Sequence, residues 1–155
     1  MKFTTGAALS ALALSFTSLP AFAGDIAAGE NAFQSQCQNC HNVINEEGEV
    51  LAGRQNVRTG PNLYGVIGRQ PGVVDGFRYG ASLVEVGETG VVWEEEEMVA
   101  YLLDPTTYLR ETLDDRRARS QMSFRVRDET TARDIIAFLG QFGTVEEEDA
   151  AEEGS

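Results

Sequence analysis

Cys37-Gln38-Asn39-Cys40-His41 is the stretch that decides what this 155-residue chain can be. Two thiols two residues apart on one turn can each form a thioether with a vinyl group of a haem. The imidazole that follows then meets the iron from the same side. One pentapeptide so supplies two covalent anchors, Cys37 and Cys40, and one axial ligand, His41. Three other chemistries use paired cysteines. A redox-active pair of the thioredoxin kind needs a βαβ setting, which the sequence lacks. A structural zinc site needs four protein ligands, and here there are two thiols and one imidazole. A small disulfide is chemically open to an exported protein, yet it leaves the adjacent histidine without a purpose.

Upstream, Lys2, the apolar run 7–16 and the closing Ala21-Phe22-Ala23 follow the order of a secretory signal peptide, with cleavage expected after Ala23. The run is too short to cross a bilayer core. Residues 1–23 are therefore expected to be removed, and the remainder to reach the periplasm. That remainder is one domain's worth of chain. Lys2 is the only lysine among 12 basic residues, so its loss takes the formal charge from −13 to −14. Such acidity argues against nucleic acid, whose phosphates need a basic face. With two cysteines in all, a multi-bridge disulfide scaffold is excluded.

Around the pentapeptide, residues 25–36 are expected to form a helix capped by Asp25, with Ile26, Phe33 and Cys37 on one face. Residues 42–80 keep no helical or strand period and are rich in Gly and Pro, which suits a segment wrapped round a large internal group. A short helix is expected at 82–86. Another is expected at 93–103, with Trp93, Met98, Tyr101 and Leu102 inward and Glu94 to Glu97 in the acid-favouring first turn. Asp104-Pro105 opens a further one through Leu109. The clearest spans 129–142, with Ile135, Phe138, Leu139 and Phe142 at i, i+3, i+4, i+7. Residues 146–155 carry six acids and no large apolar group, the pattern of a disordered tail. The fold class is all-α, short helices with long loops, and so few helices leave the middle of the molecule to be filled by something else.

The second iron ligand narrows by elimination. His41 is the only histidine, and no lysine survives export. Methionine remains, as Met98 or Met122. Met98 has helical spacing suited to plain packing. Met122 stands in the non-helical Ser120-Gln121-Met122-Ser123-Phe124 and is the stronger candidate, with gap-filling as its alternative. His/Met ligation leaves no vacant position and favours the reduced metal, which suits single-electron transfer rather than catalysis.

Over most of residues 25–142 the chain resembles the class I c-type cytochromes, soluble relatives of mitochondrial cytochrome c, and among them the larger bacterial cytochrome c2 type. Gly29 and Phe33 resemble the first-helix residues that cross the last helix near Phe138. Thr59-Gly60-Pro61-Asn62-Leu63 resembles the loop whose proline carbonyl orients the ligand histidine, which implies that role for Pro61. Gly68-Arg69, Phe77-Arg78-Tyr79 and Trp93 resemble the residues around the haem propionates. Tyr101 matches the tyrosine near the axial methionine, and Met122 matches that methionine. The resemblance implies a cytochrome c domain at 24–145 with one covalent haem c, the environment of Pro61, Arg69, Tyr79, Trp93 and Tyr101, and axial ligands His41 and Met122. It implies an electron carrier, not an enzyme. Its partners would be a cytochrome bc complex on one side and a cytochrome oxidase or photosynthetic reaction centre on the other.

The sequence departs from the family in having no lysines to ring the haem edge. Residues 109–127 instead carry six arginines against three acids, while 85–104 carry seven acids and no base. A dipolar monomer is expected, presenting an arginine-rich haem face to acidic membrane complexes. The rivals are a c-haem enzyme or gas sensor with an open sixth position, and a haem-free module with a disulfide.

Overall fold

The computed structural model describes residues 24–143. The expected leader at 1–23 and the acidic tail at 146–155 lie outside them. Helix α1 (Ile26–Ala32) starts where expected: Asp25 is extended, and its carboxylate accepts the Ala28 amide at 2.9 Å. It then widens into a π turn, Phe33–Cys37, closed by the Gln38 amide on the Phe33 carbonyl at 3.0 Å. Ile26, expected inward, is 48 % exposed. The buried edge of the helix is Gly29 and Phe33, four residues apart on one face.

That edge crosses the last helix, α5 (Glu129–Leu139), with the Phe33 and Phe138 rings 5.5 Å apart. Asp128 caps α5 through the Thr131 amide at 2.9 Å, and Ile135, Ile136, Phe138 and Leu139 are buried. The helix ends at Leu139, short of the expected 142. Phe142 nevertheless packs edge-on against Phe138 from beyond the end, with centroids 5.0 Å apart.

Between the two lies a feature that periodicity did not reveal. Strands β1 (Asn42–Ile44) and β2 (Val50–Gly53) pair antiparallel, with a bulge between Val43 and Ile44. Three- and four-residue strands are too short to display a period of two. Helices α2 (Ala81–Glu88), α3 (Glu95–Leu103) and α4 (Pro105–Thr112) follow. Trp93 precedes α3 instead of opening it. Asp104 ends α3 and caps α4, accepting the Thr107 amide at 3.0 Å, and Pro105 takes the first turn, where its missing N–H is no loss. Arg133 of α5 binds Glu95 at 2.7 Å and Glu96 at 2.8 Å, joining α5 to α3, and Glu129 of its own helix at 2.7 Å. The fold is helix-rich with long loops, as expected, plus one small hairpin. No helix among the described residues is long and apolar enough to cross a membrane.

Two of the caps, Asp104 and Asp128, make stability depend on pH. The backbone hydrogen bond from Thr107 holds the Asp104 carboxyl below its usual range, and that from Thr131 does the same for Asp128. A depressed folded pKa means that the stabilisation is fully present above the unfolded value and fades as pH falls through the folded one. Asp104→Asn and Asp128→Asn keep a capping acceptor but no charge. Each variant should melt below the parent at pH 7, with the gap closing as melts are taken down through the acid range.

Candidate functional site

The cysteine pair sits where the π turn gives way to a tight loop. The Cys40 and His41 amides both donate to the Cys37 carbonyl, at 3.0 and 2.9 Å. This folds Cys37, Cys40 and His41 onto the wall of one cavity of ≈ 290 Å³. Both cysteines are free thiols, Cys37 half-buried and Cys40 exposed. Burial first, and the neighbouring Cys40 second, push the Cys37 thiol up to about 11. It is therefore protonated at neutral pH, unlike the low-pKa thiolates of disulfide oxidoreductases. Among the described residues no group of three or more His, Cys, Asp and Glu side chains is placed to hold a metal ion.

His41 is fixed from two directions. Its Nδ1–H donates to the Pro61 carbonyl at 3.0 Å; a carbonyl can only accept, so Nδ1 carries the proton and Nε2 keeps its lone pair. Gly60 lies flat on the ring. A Cβ there would stand 2.5 Å from Nδ1 and 2.7 Å from Nε2. The loop that brings Gly60 and Pro61 to the ring is held by the Gly60 amide on the Cys40 carbonyl at 2.7 Å. Burial, partly offset by the bond to Pro61, lowers the His41 pKa. The imidazole is neutral, as a metal ligand must be.

Two asparagines that the sequence did not single out hold this loop in place. Buried Asn42 donates to the Arg54 and Val57 carbonyls, at 3.2 and 3.3 Å. Asn62 accepts the Ile44 amide at 2.9 Å and donates to the Ile44 carbonyl at 2.6 Å, joining the loop to β1. A polar residue in an aperiodic stretch gives no sign of whether its side chain is buried, so nothing in the sequence marked Asn42, and Asn62 stood there only as part of the loop motif, with no role of its own.

The other expected residues also line the cavity: Arg69, Tyr79, Trp93, Tyr101 and Met122. Arg69 donates to the Tyr64 and Asn62 carbonyls, at 2.6 and 3.1 Å, so it braces the loop as well as facing the cavity. The Tyr101 hydroxyl pairs with Ser120 Oγ at 3.1 Å, and Ser120 Oγ accepts the Met122 amide at 3.1 Å. Ser120 is thus a further residue of the site, linking the cavity wall to the backbone that carries Met122. Met98 lines the cavity too, from α3, and is 7 % exposed within the core. Burial raises the pKa of both Tyr79 and Tyr101, so both phenols keep their protons and remain donors.

No family model matches the sequence. The cytochrome c2 of Rhodovulum adriaticum, however, is 53 % identical over 124 residues, 80 % of this chain and 97 % of that protein. The chain belongs to the cytochrome c2 family. The cytochrome c-551 of Roseobacter denitrificans is 47 % identical over 129 residues, 83 % of this chain and 88 % of its own. The crystal structure of cytochrome c2 from Rhodobacter sphaeroides superposes with a TM-score of 0.75 at 43 % identity, covering 78 % of this chain and 98 % of that one. As a cytochrome c2 family member the chain carries one covalently bound haem c. The site fits that group: two free thiols, a neutral imidazole with Nε2 available and a glycine-cleared ring face border one cavity. Family membership makes it a haem-binding electron carrier and sets aside the haem-free alternative.

Proposed function

We propose that the chain is exported to the periplasm and works there as a monomeric single-electron carrier, not as an enzyme, with His41 and Met122 as the two axial ligands of its haem. It would take electrons from a cytochrome bc-type quinol-oxidising complex and pass them to an oxidase or reaction centre. The observation that carries this is the commitment of His41 Nδ1 to Pro61, which leaves Nε2 for the iron in a cavity that Met122 also lines. The haem supplies the one-electron ferric/ferrous couple. The chain's residues do the positioning. Pro61 fixes the imidazole tautomer, Gly60 leaves it room, and Ser120 ties the Met122 backbone to Tyr101. Arg69, Tyr79 and Trp93 offer N–H and O–H donors for the haem carboxylates.

Absorption spectroscopy separates the two methionines. Met122→Ala should abolish the ferric iron–sulfur charge-transfer band and let the ferrous protein bind carbon monoxide. Met98→Ala should retain the band. Loss of the band in Met98→Ala alone would reverse the assignment, and carbon monoxide binding by the unaltered protein would support the sensor or enzyme.

The docking surface follows from charge. Arg116, Arg117, Arg119, Arg125 and Arg127 are exposed, and Arg119 borders the cavity beside Gln121 and the 44 %-exposed Phe124. Arg125 is paired with Asp104 at 3.1 Å and Arg117 with Asp115 at 3.6 Å, so among the described residues Arg116, Arg119 and Arg127 carry the uncompensated charge of that side. This supports approach of an acidic partner to the arginine-bearing side. Electron-transfer rates with membrane complexes should fall as ionic strength rises, and rates that stay flat would remove the docking proposal.

A further inference from the structure

Trp93, Tyr101 and Tyr108 form a path leading away from the haem cavity. Trp93 and Tyr101 line it and Tyr108 does not. The ring centroids are 5.0 Å apart for Trp93–Tyr101, 5.7 Å for Tyr101–Tyr108 and 6.0 Å for Trp93–Tyr108. Tyr108 is 6 % exposed, yet its hydroxyl donates to Glu97 Oε2 at 2.6 Å. Of the four tyrosines, all of them among the described residues, it alone donates to a carboxylate; Tyr101 pairs with the far weaker base Ser120. The difference is chemical. A phenol that loses an electron becomes a very strong acid, so it is readily oxidised only where a base can take its proton.

We infer that Tyr108, with Glu97 as its proton acceptor, is the site where oxidising equivalents beyond the capacity of the haem come to rest, reached through Trp93 and Tyr101. In the step, an outer-sphere one-electron oxidant of the metal(III)-polypyridyl class, stronger than the ferric protein, gains one electron, which leaves the Tyr108 ring by way of Tyr101 or Trp93. The phenolic O–H bond breaks and its proton forms a bond to Glu97 Oε2. The products are a neutral Tyr108 phenoxyl radical, a neutral Glu97 acid and the oxidant reduced by one electron. An electron returned to the ring takes the same proton back. Burial and Glu97 together hold the Tyr108 phenol well above its usual pKa, so the proton leaves on oxidation and not by ordinary titration. The assignment needs haem in the cavity but not a particular second ligand, so it stands or falls separately from the Met122 proposal.

The test uses ferric holoprotein, a photogenerated ruthenium(III) polypyridyl as oxidant, and electron paramagnetic resonance of rapidly frozen samples. A tyrosyl signal is expected in the parent and its loss in Tyr108→Phe. Glu97→Gln keeps a hydrogen-bond acceptor but removes the base, and its tyrosyl yield should fall to the level of Tyr108→Phe while its haem absorption stays that of the parent. A merely structural Tyr108–Glu97 bond would leave the radical yield of Glu97→Gln unchanged. That result, or a signal that persists in Tyr108→Phe, overturns the assignment.

Discussion

Gly29→Ala should be the most destabilising single-methyl change in this protein, measured as a fall in the thermal midpoint of the holoprotein. A Cβ on Gly29 would drive into the carbonyl of Asp134 and come within 2.9 Å of Phe138 Cβ. The first neighbour is backbone in the middle of α5, whose own hydrogen bonds prevent it from yielding. Relief requires the two helices to move apart, and that separation opens the Phe33–Phe138 contact and the core behind it. Gly29 lies at ordinary negative φ, so an alanine gains no backbone strain and the loss reports the crossing alone. Overpacking costs ~1–3 kcal/mol and occasionally more; contact with unyielding backbone puts this case at the upper end or beyond. For a domain of this size that is a midpoint lowered by on the order of 10 °C. Ala27→Ser, on the exposed side of the same helix, should stay within about 0.5 kcal/mol of the parent. A Gly29→Ala protein that melts with the parent would mean that the helices do not cross at this residue.

Gly60→Ala should have the largest effect on the cofactor. Its Cβ would sit 2.5 Å from His41 Nδ1 and 2.7 Å from Nε2, so the imidazole must tilt or slide. Either movement breaks the 3.0 Å bond to the Pro61 carbonyl, which holds the proton on Nδ1 and the lone pair on Nε2. The ring would then face the cavity with the wrong orientation and no fixed tautomer. The expected outcome is little mature holoprotein, and in what forms, a high-spin ferric fraction absent from the parent. Thr59→Ala, one residue earlier and exposed, should give normal yield and spectrum. Parent-like spectra from Gly60→Ala would show that the loop can retreat from the ring, and that His41 is held by Pro61 alone.

Both substitutions concern residues that the sequence placed in the right neighbourhoods, and they show how far it could be read. Cys37, Cys40 and His41 are legible because their chemistry fixes their spacing. The caps at Asp25 and at Asp104-Pro105 are legible because they are local. The inward faces of α3 and α5 could be read because helical periodicity persists there for two turns or more. The hairpin could not, since its strands are three and four residues long and its register is set partly by the Asn62 side chain eighteen positions from Ile44. Ile26 faces out because the crossing is centred on Gly29 and Phe33, and one apolar residue in a first turn does not say where the partner helix lies. The methionines are the hardest case. Both Met98 and Met122 border the cavity, and one stretch of sequence does not state which sulfur faces the metal.

The π turn at Phe33–Cys37 resolves a conflict of orientation. Phe33 and Cys37 are four positions apart, which in a regular α-helix would aim both at the same neighbour. Here the first is sealed against α5 and the second opens on the cavity. Widening the coil by one step between them acts as a phase adjuster: residues upstream are indexed to the helix they cross, residues downstream to the porphyrin. Deleting Ser35 would restore an even winding and leave the thiols out of step with the ring they must join.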